Sequence, residues 1–212
     1  MSQGYTLIWD LDGTLFDSYK VIIPSMKQTL EEYGIAMEEE EILHHAILSS
    51  LGDLMKKIED AYGISAEDLN RRSMELRDSR MHEITAAPYA PEILAYLKEK
   101  GVANHIFTHR GQSTLPILQH LGIDRYFDEI ITAVDGFPRK PEPDAIFYLM
   151  KRYELDSART YYVGDRQIDM ECARRAGIGC ILYLPSYSVG KASGIEDYVI
   201  SDFRELKDII KG

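Results

Sequence analysis

The chain has 212 residues, 45% of them hydrophobic and 28% charged, an ordinary composition for one globular domain or for one domain carrying an insertion. Its 24 basic and 35 acidic residues give a formal charge of −11. That balance argues against nucleic acid or an anionic membrane as partner, whose footprints on a protein are basic, but leaves room for a small anionic ligand in a locally cationic site.

The first residues, Met1 to Tyr5, show no basic segment followed by an apolar stretch, and so do not read as a secretory signal. The longest stretch without a charge, Ala176 to Gly190, is 15 residues and contains Pro185, too short and too broken to span a bilayer. Two cysteines, Cys172 and Cys180, are too few for a disulfide framework and read as reduced structural thiols. A soluble, cytoplasmic protein is expected, with no membrane and no nucleic acid as partner.

Tyr5 to Trp9 is a short β-prone apolar run that stops at Asp10-Leu11-Asp12-Gly13, the pattern of a buried strand ending in a polar loop. Residues 18–84 contain no convincing strand. Helical stretches are expected there at Tyr19–Tyr33, Glu38–Leu48, Leu51–Tyr62 and Ala66–Glu83, with breaks at Gly34, Gly52 and Gly63. This segment reads as a helical domain inserted after the first strand, which leaves 1–17 and 85–212 as the core.

From residue 90 onward strands and helices alternate. Strand-like runs fall at Asn104–Thr108, Glu129–Val134, Thr160–Gly164 and Gly179–Leu184, and none alternates cleanly, as befits strands covered on both faces. Helical patterns lie between them at Pro91–Lys100, Leu115–Leu121, Ile146–Met150 and Ile168–Ala176. Such alternation implies right-handed crossovers and an α/β fold with a mainly parallel sheet.

Ligands of open parallel sheets sit beyond the carboxyl ends of the strands. The polar residues delivered there are Asp10 and Asp12, then Thr108, His109 and Arg110, then Arg139 and Lys140, then Asp165, Arg166 and Asp169. Each group alone is as readily a turn, a solvated loop or a helix cap; the convergence of four strand ends is what points to a site. Asp10, Asp165 and Asp169 are hard oxygen donors suited to Mg²⁺. Three carboxylates packed without a cation would repel one another. A metal, a lysine, a hydroxyl and loop N–H groups together suit phosphate. An aspartate can attack phosphorus to form an aspartyl-phosphate, and a second aspartate can protonate the leaving oxygen and then activate water.

Asp10-Leu11-Asp12-Gly13-Thr14-Leu15-Phe16-Asp17-Ser18 resembles the first motif of the haloacid dehalogenase-like hydrolase superfamily. Thr108 is similar to its second motif, Lys140-Pro141-Glu142-Pro143 to its third, and Gly164-Asp165-Arg166-Gln167-Ile168-Asp169 to its fourth. The segments Leu121–Asp128 and Ala173–Gly177 resemble the phosphoglycolate phosphatase-like branch.

The resemblance implies a Rossmann-like three-layer core with a small all-helical cap. It implies that Asp10 is the nucleophile and a metal ligand, and that Asp12 is the general acid and base and lends its carbonyl to Mg²⁺. Thr108 and Lys140 would hold the phosphoryl group, with His109 contributing a main-chain donor. Asp165 and Asp169 would complete the metal site. Retention of Asp12 points to a phosphoesterase or a phosphomutase; the expected function is a phosphatase acting on a small phosphorylated metabolite, phosphoglycolate being the first candidate. A phosphomutase resembling β-phosphoglucomutase and a non-catalytic phosphometabolite-binding module are the alternatives.

The chain departs from the pattern at His109, where many relatives carry Asn, at Arg166, where Ser is common, and at Tyr89-Ala90-Pro91, where a Pro-Gly turn is usual. His109 and Arg110 either add donors near the leaving group or point outward. Specificity is expected in the cap, with His44, His45, Ser49 and Ser50 as candidates. Either a monomer or a homodimer fits.

Overall fold

Each of the five apolar runs forms a strand in the computed structural model of the chain, which describes residues 4–186 and 188–211. The chain divides into two compact units, one built from Met1–Asp17 and Ala86–Gly212, the other from Ser18–Thr85.

The first unit holds a six-stranded sheet made of β1 (Thr6–Trp9), β4 (Ala103–Phe107), β5 (Glu129–Ile131), β6 (Thr160–Gly164), β7 (Gly179–Tyr183) and β8 (Tyr198–Ile200). Their order is β5-β4-β1-β6-β7-β8, and every pairing is parallel. Between them run α5 (Ala90–Glu99), α6 (Thr114–His120), α7 (Asp144–Tyr153) and α8 (Gln167–Ala176), and α9 (Leu206–Ile209) closes the chain. The fold is thus a Rossmann-like parallel sheet flanked by helices. Strand β1 lies between β4 and β6, where the strand order reverses, so the loops leaving these strands diverge and open a crevice at their carboxyl ends.

All four residues of β1 are buried, as expected for a strand covered on both faces. Successive side chains point to opposite faces. On one face Ile8, Phe107 and Tyr162 pack against Ile146 and Leu149 of α7 and Met170 and Ala173 of α8. On the other, Trp9 donates its indole N–H to Asn104 Oδ1 at 2.9 Å and meets Phe203 edge-on at 5.8 Å, while Tyr183 stacks on Phe203 at 4.2 Å. Cys172 and Cys180 are both buried and free, in keeping with structural thiols.

The second unit is helical: α1 (Tyr19–Glu32), α2 (Glu39–Leu48), α3 (Leu51–Tyr62) and α4 (Ala66–Ser79). They enclose a separate core that includes Ile22, Met26, Leu30, Ile42, Leu54, Ile58 and Leu69. The Arg72 guanidinium grips both oxygens of Glu32 at 2.6 and 2.8 Å, tying α4 to α1. Two-residue strands β2 (Phe16–Asp17) and β3 (Thr85–Ala86) form a separate sheet on the two connecting passes of the chain.

Three expectations need correction. Gly52 does not interrupt a helix; it lies in the first turn of α3, and the break falls at Ser49 and Ser50, where the Ser50 hydroxyl caps the helix by accepting from Asp53 N at 3.0 Å. The strand expected to reach Val134 ends at Ile131, because Asp135 Oδ2 takes both the N–H and the hydroxyl of Thr132 at 2.7 Å and turns the chain out of the sheet. The helix expected over Ala66–Glu83 ends at Ser79 and is followed by a separate single turn over Met81–Glu83.

Candidate active site

The main-chain N–H of Asp10 still belongs to the sheet, donating to Val163 O at 2.9 Å, so the Asp10 side chain is fixed where β1 ends. The next residues fold back on themselves: Thr14 N and Phe16 N both donate to Leu11 O, and Gly13 takes a φ of 82°. A side chain rarely adopts that conformation, which explains glycine at this turn. The turn also brings the Thr14 hydroxyl to Asp165 Oδ1 at 3.3 Å, linking the loop after β1 to the loop after β6.

Asp169 sits in the first turn of α8, where its carboxylate accepts the Arg166 N–H at 3.1 Å and faces the positive end of the helix dipole. Gly164 permits this approach, since a Cβ there would lie 2.5 Å from Asp169 Cβ. Carboxylate oxygens of Asp10, Asp165 and Asp169 all come within 4.8 Å of one another, and all three residues are buried.

Lys140 is the cation of this cluster. Its ammonium donates to Asp10 Oδ1 at 2.7 Å, Asp169 Oδ1 at 2.7 Å and Tyr162 Oη at 3.0 Å, which occupies all three of its protons. Its side chain is 0% exposed. Tyr162 Oη in turn donates to Phe107 O at 2.6 Å, so the lysine is tied to β4 as well as β6. Burial alone would disfavour the Lys140 charge, but Asp10 and Asp169 outweigh it and hold the ammonium above its ordinary value. Burial pushes Asp10 up to about 6 against the opposing pull of Lys140, and Asp169 adds to the rise.

Three carboxylates against one ammonium leave an excess of two negative charges among these four buried side chains, which Arg166 nearby offsets in part. A divalent cation would balance that excess, and the donor set is the hard-oxygen type such cations take. The residues present therefore fit a divalent metal.

Thr108 follows β4 and is buried. Its N–H donates to Ile131 O at 3.0 Å, and its hydroxyl oxygen accepts the Arg110 N–H at 3.1 Å. The His109 ring braces a neighbouring loop, with Nε2 accepting the Lys140 main-chain N–H at 2.8 Å. This bond requires an unprotonated Nε2. Burial drives the His109 ring down to about 2, and the nearby cations Lys140, Arg139 and Arg166 act in the same direction.

Asp12 is gripped by Arg110. Nη2 donates to Oδ1 at 2.6 Å, while Nε is shared between Oδ1 at 3.1 Å and Oδ2 at 3.2 Å. One unit thus gathers Asp10, Asp12, Thr108, His109, Lys140, Asp165 and Asp169 around the strand ends.

The remaining candidates lie in the helical unit. His44 is exposed and His45 half-buried in α2; the Ser49 hydroxyl donates to His45 O at 3.0 Å, and the Ser50 hydroxyl serves the α3 cap. Both serines thus have local structural partners. Two contributors escaped the sequence reading: Tyr162, hidden inside an apolar strand, and the Arg110–Asp12 pairing, for which neither residue carries a local signal.

A family model for haloacid dehalogenase-like hydrolases matches residues 7–183. The chain belongs to that family. A phosphoglycolate phosphatase from Pseudomonas savastanoi pv. phaseolicola is 26% identical over 211 residues, covering 94% of this chain and 77% of the relative. A pyrophosphatase, PpaX, from Oceanobacillus iheyensis is 26% identical over 212 residues, covering 97% and 96%. In fold, the chain is similar to the crystal structure of a predicted phosphoglycolate phosphatase from Haemophilus somnus 129PT, with a TM-score of 0.85 over 100% of both chains at 21% identity. Among the described residues no helix is long and apolar enough to cross a membrane.

Proposed function

We propose that this phosphatase hydrolyses a small phosphorylated metabolite through an aspartyl-phosphate on Asp10, with Mg²⁺ as its metal. The observation that carries the reading is the buried cluster of Asp10, Asp165, Asp169 and Lys140, whose excess of two negative charges calls for a divalent cation next to the nucleophile. Asp10, Asp165 and Asp169 would hold the ion, with the Asp12 main-chain carbonyl added by the family pattern. A bound Mg²⁺ supplies positive charge to the phosphoryl oxygens and screens Asp10 from the incoming anion.

The chain's own groups divide the work. An Asp10 oxygen attacks phosphorus, the ester P–O bond breaks, and its electron pair stays on the leaving oxygen, which takes a proton from Asp12. Water then attacks the aspartyl-phosphate as Asp12 takes back a proton, releasing inorganic phosphate and restoring the Asp10 carboxylate. Lys140 orients Asp10 and offsets charge through its 2.7 Å bond. The Thr108 hydroxyl and the His109 main-chain N–H would hold phosphoryl oxygens.

Arg139 and Arg166 lie near His109 in a chain whose net charge is −11, so the site opposes the global field and favours an anionic leaving group. Glycolate carries a carboxylate and the leaving half of pyrophosphate is itself phosphate, so the names of both relatives agree with that chemistry. We place leaving-group selection in the helical unit, with His44, His45, Ser49 and Ser50 as candidates.

Turnover of phosphoglycolate, pyrophosphate and a sugar 1-phosphate, followed by released phosphate with Mg²⁺ and with chelator, tests the reading. Phosphate release from an anionic ester that stops in chelator and returns with Mg²⁺ is the expected result. Full activity in chelator, or sugar 6-phosphate formed without phosphate release, would contradict it.

A further inference from the structure

An acid that must meet one oxygen of a leaving group needs a fixed direction as well as a proton. Asp12 stands in a turn rather than in a strand, and about a quarter of its side chain is exposed. Its direction is set from the next strand. Arg110 reaches it with a short bond from Nη2 to Oδ1 and with the shared Nε–H.

Arg110 is itself held at many points. Its N–H donates to the Thr108 hydroxyl, its carbonyl accepts from Ala133 N at 3.0 Å, and Nη1 donates to Ser113 Oγ at 3.1 Å. Its guanidinium lies 5.9 Å over the Phe16 ring, and its side chain is 10% exposed. A fork so anchored transmits the position of β4 to the carboxylate on the loop after β1. Both carboxylate oxygens receive a bond from Arg110, the shortest at 2.6 Å to Oδ1.

We propose that Arg110 is the positioning residue for Asp12, fixing the direction in which its carboxyl gives the proton to the leaving group. The inference rests on the aspartyl-phosphate reading above, with Asp12 as acid and base. Arg110 then acts through Asp12 and not on the phosphoryl group. Its loss should reproduce the loss of Asp12 in kind, hurting basic leaving groups most.

The test compares kcat/KM, which reports the chemistry up to phosphoenzyme formation, for an aryl phosphate and an alkyl phosphate. Arg110→Met should lower the alkyl value by about 10²-fold, the lower end of a general acid's contribution, and the aryl value by less than about tenfold, with KM little changed. Arg110→Lys, which offers one point of contact instead of a fork, should fall between. In an Asp12→Asn background, adding Arg110→Met should change neither ester by more than about threefold, because coupled residues are not additive. Guanidinium ion added to Arg110→Ala should restore part of the alkyl activity, and should restore none in Asp12→Asn.

Equal losses on both esters, additive with Asp12→Asn and unrescued, would overturn the positioning role in favour of simple structural support. A rise in KM confined to esters with an anionic leaving group would overturn it in favour of direct substrate binding. A wild-type chain that turns over neither ester with Mg²⁺ would remove the catalytic reading and this inference with it, an outcome distinct from an active wild type whose variants fail the pattern.

Discussion

Replacing Lys140 by Met keeps an unbranched side chain, one atom shorter, and removes the ammonium together with its bonds to Asp10, Asp169 and Tyr162. In the metal-free protein at about pH 8, the carboxylates of Asp10, Asp165 and Asp169 would then face one another with no ammonium between them, and Asp10, at about 6 with Lys140 beside it, would be pushed further up. Two unit charges within 4.8 Å repel by about 3 kcal/mol at an effective dielectric constant of about 20. Breaking a buried ion pair by removing one partner costs about 3–5 kcal/mol, and Lys140 partners two carboxylates. At about 2–4 °C per kcal/mol for a chain of this size, the metal-free variant should melt roughly 10 °C or more below wild type.

The same arithmetic gives a second, opposite sign. The cluster's excess charge rises from two to three, so added Mg²⁺ should stabilise Lys140→Met by more degrees than it stabilises wild type. Thermal unfolding in chelator and across a Mg²⁺ titration reads both effects, while activity should be lost throughout. Equal melting temperatures without metal, or a smaller gain from Mg²⁺ in the variant, would refute the charge balance assigned to the site.

Gly164→Ala should cripple metal binding with little effect on the sheet, because the new methyl would lie 2.5–2.6 Å from Asp169 side-chain atoms and must displace that carboxylate; isothermal titration with Mg²⁺ checks it. His109 is held neutral with its ring down at about 2, so the folded state binds fewer protons than the unfolded state below the ordinary histidine value of about 6.5. Its contribution to stability is complete above about pH 6.5 and fades as pH falls below it, whereas raised Asp10 acts in the opposite direction between about 6 and 3.8. Urea midpoints of metal-free protein should therefore fall less from pH 7 to pH 5 in His109→Asn than in wild type. Parallel slopes would show that the ring titrates freely.

Much of the core was legible because its strands are short apolar runs that end abruptly in polar residues. Thr-Leu-Ile-Trp followed by Asp10 announces both a buried strand and the residue at its mouth, and the run before Asp165 does the same. The helical character of residues 18–84 was legible from the absence of such runs. Strand β8 was not, for it is three residues long at the edge of the sheet with Tyr198 and Val199 exposed, and its partner pattern exists only in three dimensions. Strand β5 looked longer than it is because Asp135 competes for the Thr132 backbone through a side-chain bond that hydrophobicity does not register.

The site shows the same limit. Carboxylates and lysine at strand ends could be read, but Tyr162 reads as core until its hydroxyl is seen bridging Lys140 and Phe107. Arg110 and Asp12 are 98 residues apart, and only the adjacency of β1 and β4 brings them together.

The central claim is that Asp10 carries the phosphoryl group between two half-reactions, and the Asp12→Asn variant tests it most directly. An aryl phosphate leaves without much help from an acid, so this variant should still phosphorylate Asp10, but water then lacks its base. Rapid mixing with an aryl phosphate and Mg²⁺, followed by quenching and peptide mass spectrometry, should show a burst approaching one equivalent of phenolate per site and a phosphoryl group on Asp10. Absence of both burst and label in a folded Asp12→Asn variant, beside an active wild type, would contradict the account, as would a label on any other residue.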